Sequence, residues 1–157
     1  MDRERLIGTW RLSEQIEKLS DGTRILPRGE HPLGLLMYAA NGWMSVQLLR
    51  SERAARADLA EFETAMEEYL GYFGRYTVDP VRAIITHHIV GCSYPAYSGT
   101  DQVRHYTLNG DTLTLTTGES LRLALEVLGQ VEDLGRFLDA GVDLGLVDAG
   151  HLQGEAH

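Results

Sequence analysis

Residues 33–49 read LGLLMYAANGWMSVQLL. Two apolar runs, Leu33–Tyr38 and Trp43–Leu49, flank Ala39-Ala40-Asn41-Gly42. Asn-Gly accepts the positive φ that a tight antiparallel turn requires, so this stretch reads as a β-hairpin. The same grammar extends in both directions. Upstream, Leu6–Leu19 alternates, with Trp10, Leu12, Glu14 and Ile16 on one face and Thr9, Arg11, Ser13 and Gln15 on the other. A period of two over this length indicates a strand with one buried face. Asp21-Gly22 turns the chain into a short strand, Thr23–Leu26, which Pro27 ends. Downstream, Arg75–Val78, Ala83–Val90, Thr100–Leu108, Thr112–Thr117 and Ser120–Leu128 are strand-like, and Asp79-Pro80, Asn109-Gly110-Asp111 and Gly118 separate several of them.

The period changes once within this series. Leu59, Phe62, Met66, Tyr69, Leu70 and Phe73 fall on one helical face, with Asp58 and Glu61 spaced as a capping box. One inserted helix is expected over about 58–70, ended by Gly71 and Gly74. Eight or nine short, mainly antiparallel strands with tight turns then imply a single up-and-down barrel or a sandwich. A closed sheet of about eight strands can hold one small ligand.

The 157 residues suit one domain, and 43% hydrophobic content is globular. Fourteen basic against 23 acidic residues give a net charge of −9. Lys18 is the single lysine, and no polybasic tract exists to neutralise nucleic-acid phosphates or an anionic membrane. The single Cys92 excludes an intrachain disulfide framework and a CxxC zinc site. No long apolar run predicts a membrane span, and Met1–Arg5 lacks signal-peptide character, so a cytoplasmic setting is expected. The barrel is expected over 1–128. Residues 129–157 form an acidic, glycine-rich appendage with six acids against Arg136. Val131, Leu134, Phe137 and Leu138 within it have helical spacing, suggesting a C-terminal helix over about 131–140. Capping the barrel, mediating a homodimer contact and remaining solvated are all roles open to it.

Several blocks resemble the bacterial and fungal lipocalin-like domain family, a branch of the calycin group. They are Gly8-Thr9-Trp10-Arg11-Leu12, Asp21-Gly22, PLGLLMY (32–38), NGWMSVQL (41–48), YLGYFGRYTV (69–78), Thr86-His87-His88, GTDQVRH (99–105) and NGDTLTLT (109–116). The resemblance implies a calycin-type barrel with an interior pocket. It covers roughly residues 6–117 and fixes no activity, since such families include secondary-metabolism enzymes that shape a ligand inside the barrel. It also implies a structural Trp10 at the closed end with an arginine laid across it, for which Arg122 is the candidate.

Candidate chemistry follows from strand parity. His87 and His88 point to opposite faces. The sets Ile85/His87/Ile89 and Ile84/Thr86/His88/Val90 are both apolar, and His88 is taken as the inward one. Gln102, Arg104 and Tyr106 share a face. If that face is internal, Arg104 is a buried cation needing a partner or an anionic ligand, and Glu14 is a candidate partner. Tyr38 and Gln47 are donors if internal, and Tyr94 and Tyr97 sit in a loop that can border the mouth. Ordinary packing is the competing reading for each. The histidines show no HxH or HxxxH spacing, so no metal is expected, and no GxGxxG, GxxxxGK[ST] or GxSxG motif supports a nucleotide cofactor or a serine nucleophile. Cys92 lacks a catalytic signature.

The expected function is a cofactor-independent cyclase or isomerase of polyketide- or terpenoid-like metabolism. Arg104 and His88 are its catalytic candidates, and Tyr38, Gln47, Tyr94, Tyr97, Gln102 and Tyr106 its ligand contacts. Orientation, water exclusion and polarisation of a carbonyl would drive such chemistry. The alternative is a non-catalytic carrier or sensor of a small hydrophobic molecule.

Overall fold

The computed structural model describes residues 2–51, 68–118 and 120–127. A short helix, α1 (Asp2–Leu6), precedes nine strands: β1 (Gly8–Lys18), β2 (Arg24–Ile25), β3 (Leu33–Tyr38), β4 (Trp43–Leu49), β5 (Tyr69–Asp79), β6 (Ile84–Cys92), β7 (Asp101–Asn109), β8 (Thr112–Thr117) and β9 (Leu121–Val127). Their order is β2-β1-β3-β4-β5-β6-β7-β8-β9, and β9 returns to pair with β1. Eight antiparallel strands therefore close on themselves, with β2 an extra strand on the far end of β1. Closure leaves the principal strands without a free hydrogen-bonding edge.

The opening hairpin is as read. Leu33 to Tyr38 pair in register with Leu49 to Met44, and Gly42 adopts a positive φ of 86° at the turn. Met44, Val46 and Leu48 face inward with Leu36 and Tyr38. Leu12, Ile85, Leu113, Leu115, Leu123 and Leu125 complete much of the core, so one apolar face of every principal strand meets at the barrel centre.

The expected helix is corrected at its C-terminal end. Tyr69, Leu70 and Phe73 belong to β5, and 58–67 lie outside the described residues. Gly71 and Gly74 are strand positions, not helix stops. A Cβ at Gly74 would lie 2.0 Å from the backbone oxygen of His88, so only glycine allows β5 to approach β6 there. The expected C-terminal helix and appendage also lie outside the described residues.

The strand expected from Leu6 begins at Gly8, because Asp2–Leu6 is helical and folds under one end. Trp10 Nε1 donates to the Leu6 carbonyl at 2.9 Å. The Tyr106 hydroxyl donates to Asp2 at 3.0 Å. Arg3 lies over the Tyr76 ring and donates to the Ala40 carbonyl at 3.0 Å. Trp10, 2% exposed, thus plugs this end of the barrel.

A β-bulge changes the second half of β1. Leu12 pairs with Leu125, yet Glu14 pairs with Ala124, so Ser13 is an extra residue. The single-period alternation is overturned beyond it: Gln15 turns inward opposite Leu123, and Glu14 and Ile16 turn outward. Glu14 meets Arg122 at 3.4 Å on the outer surface. Arg122 therefore does not lie across Trp10, and Glu14 is not the partner of Arg104.

Candidate functional site

Among the described residues, the mainly apolar inner wall carries a connected polar group centred on His87. His87 is inward and 1% exposed. Its Nε2 is 2.6 Å from the Tyr38 hydroxyl, and its Nδ1 is 3.1 Å from the Tyr72 hydroxyl. Three strands, β3, β5 and β6, supply this chain. Arg104, inward on β7 and paired with Ile85, lies beside Tyr72. Its Nη1 donates to the Val103 carbonyl at 3.1 Å, while its buried Nε has no partner among the described residues.

Electrostatics fix the protonation states. Burial, reinforced by the charges of Arg104 and His88, holds the His87 pKa down to about 3, so the ring is neutral near pH 7. Burial pushes the Tyr38 hydroxyl well above its usual range. Burial also raises Tyr72, against the opposing pull of Arg104. A neutral imidazole accepts at one nitrogen and donates at the other. The short Tyr38 contact suits an O–H donating to Nε2, which makes Nδ1–H donate to Tyr72. Tyr72 then retains its own proton for a further acceptor.

The structure separates the candidate residues. Tyr38, Gln102, Arg104 and Tyr106 are inward, though Tyr106 serves the plugged end through Asp2. Burial together with Asp2 pushes the Tyr106 hydroxyl up to about 12. The Gln102 amide donates to Thr100 Oγ1 at 3.0 Å. His88 is corrected to the outer face, where Nδ1 is 2.7 Å from Asp101 and Nε2 is 3.0 Å from Thr77. Gln47 is likewise outward. Met44, Val46 and Leu48 take the inner face of β4, and Gln47 bonds to Tyr69 and lies 3.4 Å from Ser45 Oγ.

Tyr94 precedes and Tyr97 ends a 3₁₀ turn, Pro95–Tyr97, at the end opposite α1. Their rings meet edge to face at 5.1 Å and stay exposed. His87, Tyr72 and Gln15 were missed. Pairing β6 with the Gln102/Arg104 face of β7 was the signal for His87, because His87 lies opposite Gln102. No signal short of the bulge pointed to Gln15.

Among the described residues no three His, Cys, Asp or Glu side chains gather into a metal-binding group. No described helix is long and apolar enough to cross a membrane. A half-open cleft beside Ile16, Lys18, Arg24 and Arg122 does not include the Tyr38–His87–Tyr72 chain.

A closed antiparallel barrel, plugged at one end by a Gly-x-Trp tryptophan and polar at its centre, defines a calycin-type protein. The lipocalin-like domain model matches residues 7–127, and the chain belongs to that family. The 4'-hydroxy-3'-methoxypropiophenone carrier protein ppsC of Aspergillus oryzae is 36% identical over 63 residues. That match covers 36% of this chain and 57% of the fungal protein, so the chain spans little over half of that relative. An uncharacterised Bacteroides eggerthii protein is 12% identical with a TM-score of 0.46, covering 78% of this chain and 99% of its own. A redesigned β-barrel is 16% identical with a TM-score of 0.40, covering 81% and 95% respectively.

Proposed function

We propose that this barrel binds a small, mainly apolar molecule bearing a carbonyl or related oxygen, and that it serves as a carrier. The observation that carries the reading is the Tyr38–His87–Tyr72 chain beside Arg104, set in an apolar interior. Ligand sites are commonly apolar with a few convergent polar groups. Here Tyr72 O–H and Arg104 Nε are donors with capacity to spare, and both suit an oxygen acceptor. The name of the Aspergillus relative, a carrier of an aryl ketone, supports the same chemical class.

Catalysis as a cyclase or isomerase is the second reading. Arg104 and Tyr72 can polarise a carbonyl and stabilise an enolate. The site supplies a poor base, however, because His87 stays neutral with a pKa of about 3. Binding without turnover accounts for the same donors and needs no base.

Titration with propiophenone tests the carrier reading. Saturable binding, weakened about tenfold or more by Arg104→Gln, is expected from loss of a hydrogen bond to a charged donor. Unaltered affinity in Arg104→Gln removes the interior site. Conversion of a bound ketone to an isomer or cyclised product would favour the catalytic reading.

A further inference from the structure

Gln15 is 7% exposed, and its Oε1 is buried without a hydrogen-bond partner among the described residues. It faces inward only because Ser13 is bulged out of the β1–β9 ladder. A buried amide oxygen left unsatisfied is costly, and most such groups find a partner. Leucine would fill this position beside Leu123 and Leu115 without that cost.

The register locates Gln15 relative to the polar group. Gln15 lies opposite Leu123, Leu123 opposite Leu115, and Leu115 opposite Tyr106. Arg104 is the next inward residue along β7 from Tyr106. Three strand spacings, about 14 Å along the wall, separate Gln15 from Tyr106, and Arg104 lies two residues, about 7 Å, further along β7; both side chains point inward, which shortens the span between their polar atoms. A donor, Arg104 Nε, and an acceptor, Gln15 Oε1, are therefore offered to the same interior by different strands.

We infer that Gln15 is a specificity-determining ligand contact that accepts a hydrogen bond from a hydroxyl of the bound molecule. This rests on the interior-binding reading above and narrows its ligand class to hydroxylated carbonyl compounds, such as phenolic ketones. Arg104 and Tyr72 take the carbonyl oxygen, and Gln15 takes the hydroxyl at the other end. A molecule lacking the hydroxyl leaves the amide oxygen unpaired, and sites built to bond a hydroxyl reject analogues without one.

The test compares 4-hydroxypropiophenone with 4-methoxypropiophenone by calorimetric titration in wild type, Gln15→Leu and Gln15→Met. Wild type is expected to bind the phenol at least tenfold more tightly than the ether. Both variants should lose that preference, keep the affinity for the ether, and melt at or above the wild-type temperature. A structural role would lower the melting temperature instead. Equal affinities in wild type, a preference that survives in both variants, or failure of both variants to fold overturns the assignment while leaving the interior site standing. Failure of wild type to bind either compound overturns the interior reading and this inference together.

Discussion

The Tyr38 hydroxyl on β3 and His87 Nε2 on β6 meet at 2.6 Å although three steps of the sheet separate their strands. The contact ties opposite parts of the wall through the barrel centre. Burial, rather than this contact, keeps His87 a neutral hydrogen-bonding hub instead of a titrating base. Tyr38 stacks near Tyr76 with ring centroids 4.6 Å apart, so both its ring and its hydroxyl are held. With its proton given to His87, Tyr38 fixes the imidazole that holds Tyr72, whose own O–H is the donor left to orient a bound oxygen.

The low pKa of His87 makes stability depend on pH. The folded value of about 3 lies below the ordinary histidine value of 6.5. The unfolded chain therefore binds a proton that the folded chain refuses, and stability falls as pH drops from 6.5 toward 3. Between pH 6.5 and 5 this group alone should cost about 2 kcal/mol. Urea titrations of wild type and His87→Gln at both pH values isolate it. The difference between the two proteins should shrink by that amount at pH 5, and a constant difference would show that His87 takes up its proton equally readily in the folded and unfolded chains.

The plugged end should be the more stabilising part of the fold. Trp10→Ala removes a nearly fully buried ring and the bond to the Leu6 carbonyl, and should cost about 3–5 kcal/mol. Trp10→Phe keeps most of the ring and loses the hydrogen bond, at about 1–2 kcal/mol. Denaturant midpoints rank the two. If Trp10→Phe proves as damaging as Trp10→Ala, the indole N–H matters more than the packing.

Gly74 should tolerate no side chain. The Cβ of Gly74→Ala would overlap the His88 carbonyl, which is backbone and cannot swing aside. A loss of about 3 kcal/mol or more is expected, in the range reserved for core and backbone clashes. Soluble expression and thermal melting check this. Wild-type stability would mean that β5 and β6 separate at the bulge between Phe73 and Gly74.

Outer-face candidates should be silent in ligand binding. His88→Ala removes contacts to Asp101 and Thr77, and Arg122→Ala removes one to Glu14, all at the surface. Each exposed pair is worth at most about 1 kcal/mol. Propiophenone titration should give wild-type affinity in both variants. A large loss in His88→Ala would return the outer face of β6 to the functional site.

The limits of sequence reading are visible in these same residues. The hairpin at residues 33–49 was legible because Asn41-Gly42 and two apolar runs agree on one register. Regular strand spacing left a barrel or a sandwich open, the resemblance to lipocalin-like proteins implied the barrel, and residues 7–127 carry the family match. His87 and His88 were not separable locally, because Ile84 and Val90 make the outer face of β6 as apolar as the inner. Gln47 was separable: its strand sets Met44, Val46 and Leu48 against Trp43, Ser45 and Gln47, and the wholly apolar set turns inward. The helical reading of Tyr69, Leu70 and Phe73 failed because tertiary pairing overrides a local period. Gln15 depended on a single extra residue that alternation cannot reveal.

That extra residue is itself testable. Trp10 and Leu12 face inward before Ser13, and Gln15 faces inward after it. Deleting Ser13 places Glu14 directly after Leu12, so Glu14 stays outward and Gln15 inward in an unbulged strand. The bond from Ser13 Oγ to the Ala124 carbonyl, 2.9 Å, would be lost. A cost of about 1–2 kcal/mol is expected, with the fold retained. Deleting Arg11 instead sets Trp10 beside Leu12 and forces one of them to the outer face, because a one-residue slip exchanges faces. That protein should fail to fold, since the Trp10 plug and the pairing of Gly8 with Tyr38 cannot both survive. Circular dichroism and melting of the two deletions decide the matter. Equal damage from both would show that the bulge, rather than the faces it aligns, is what β1 requires.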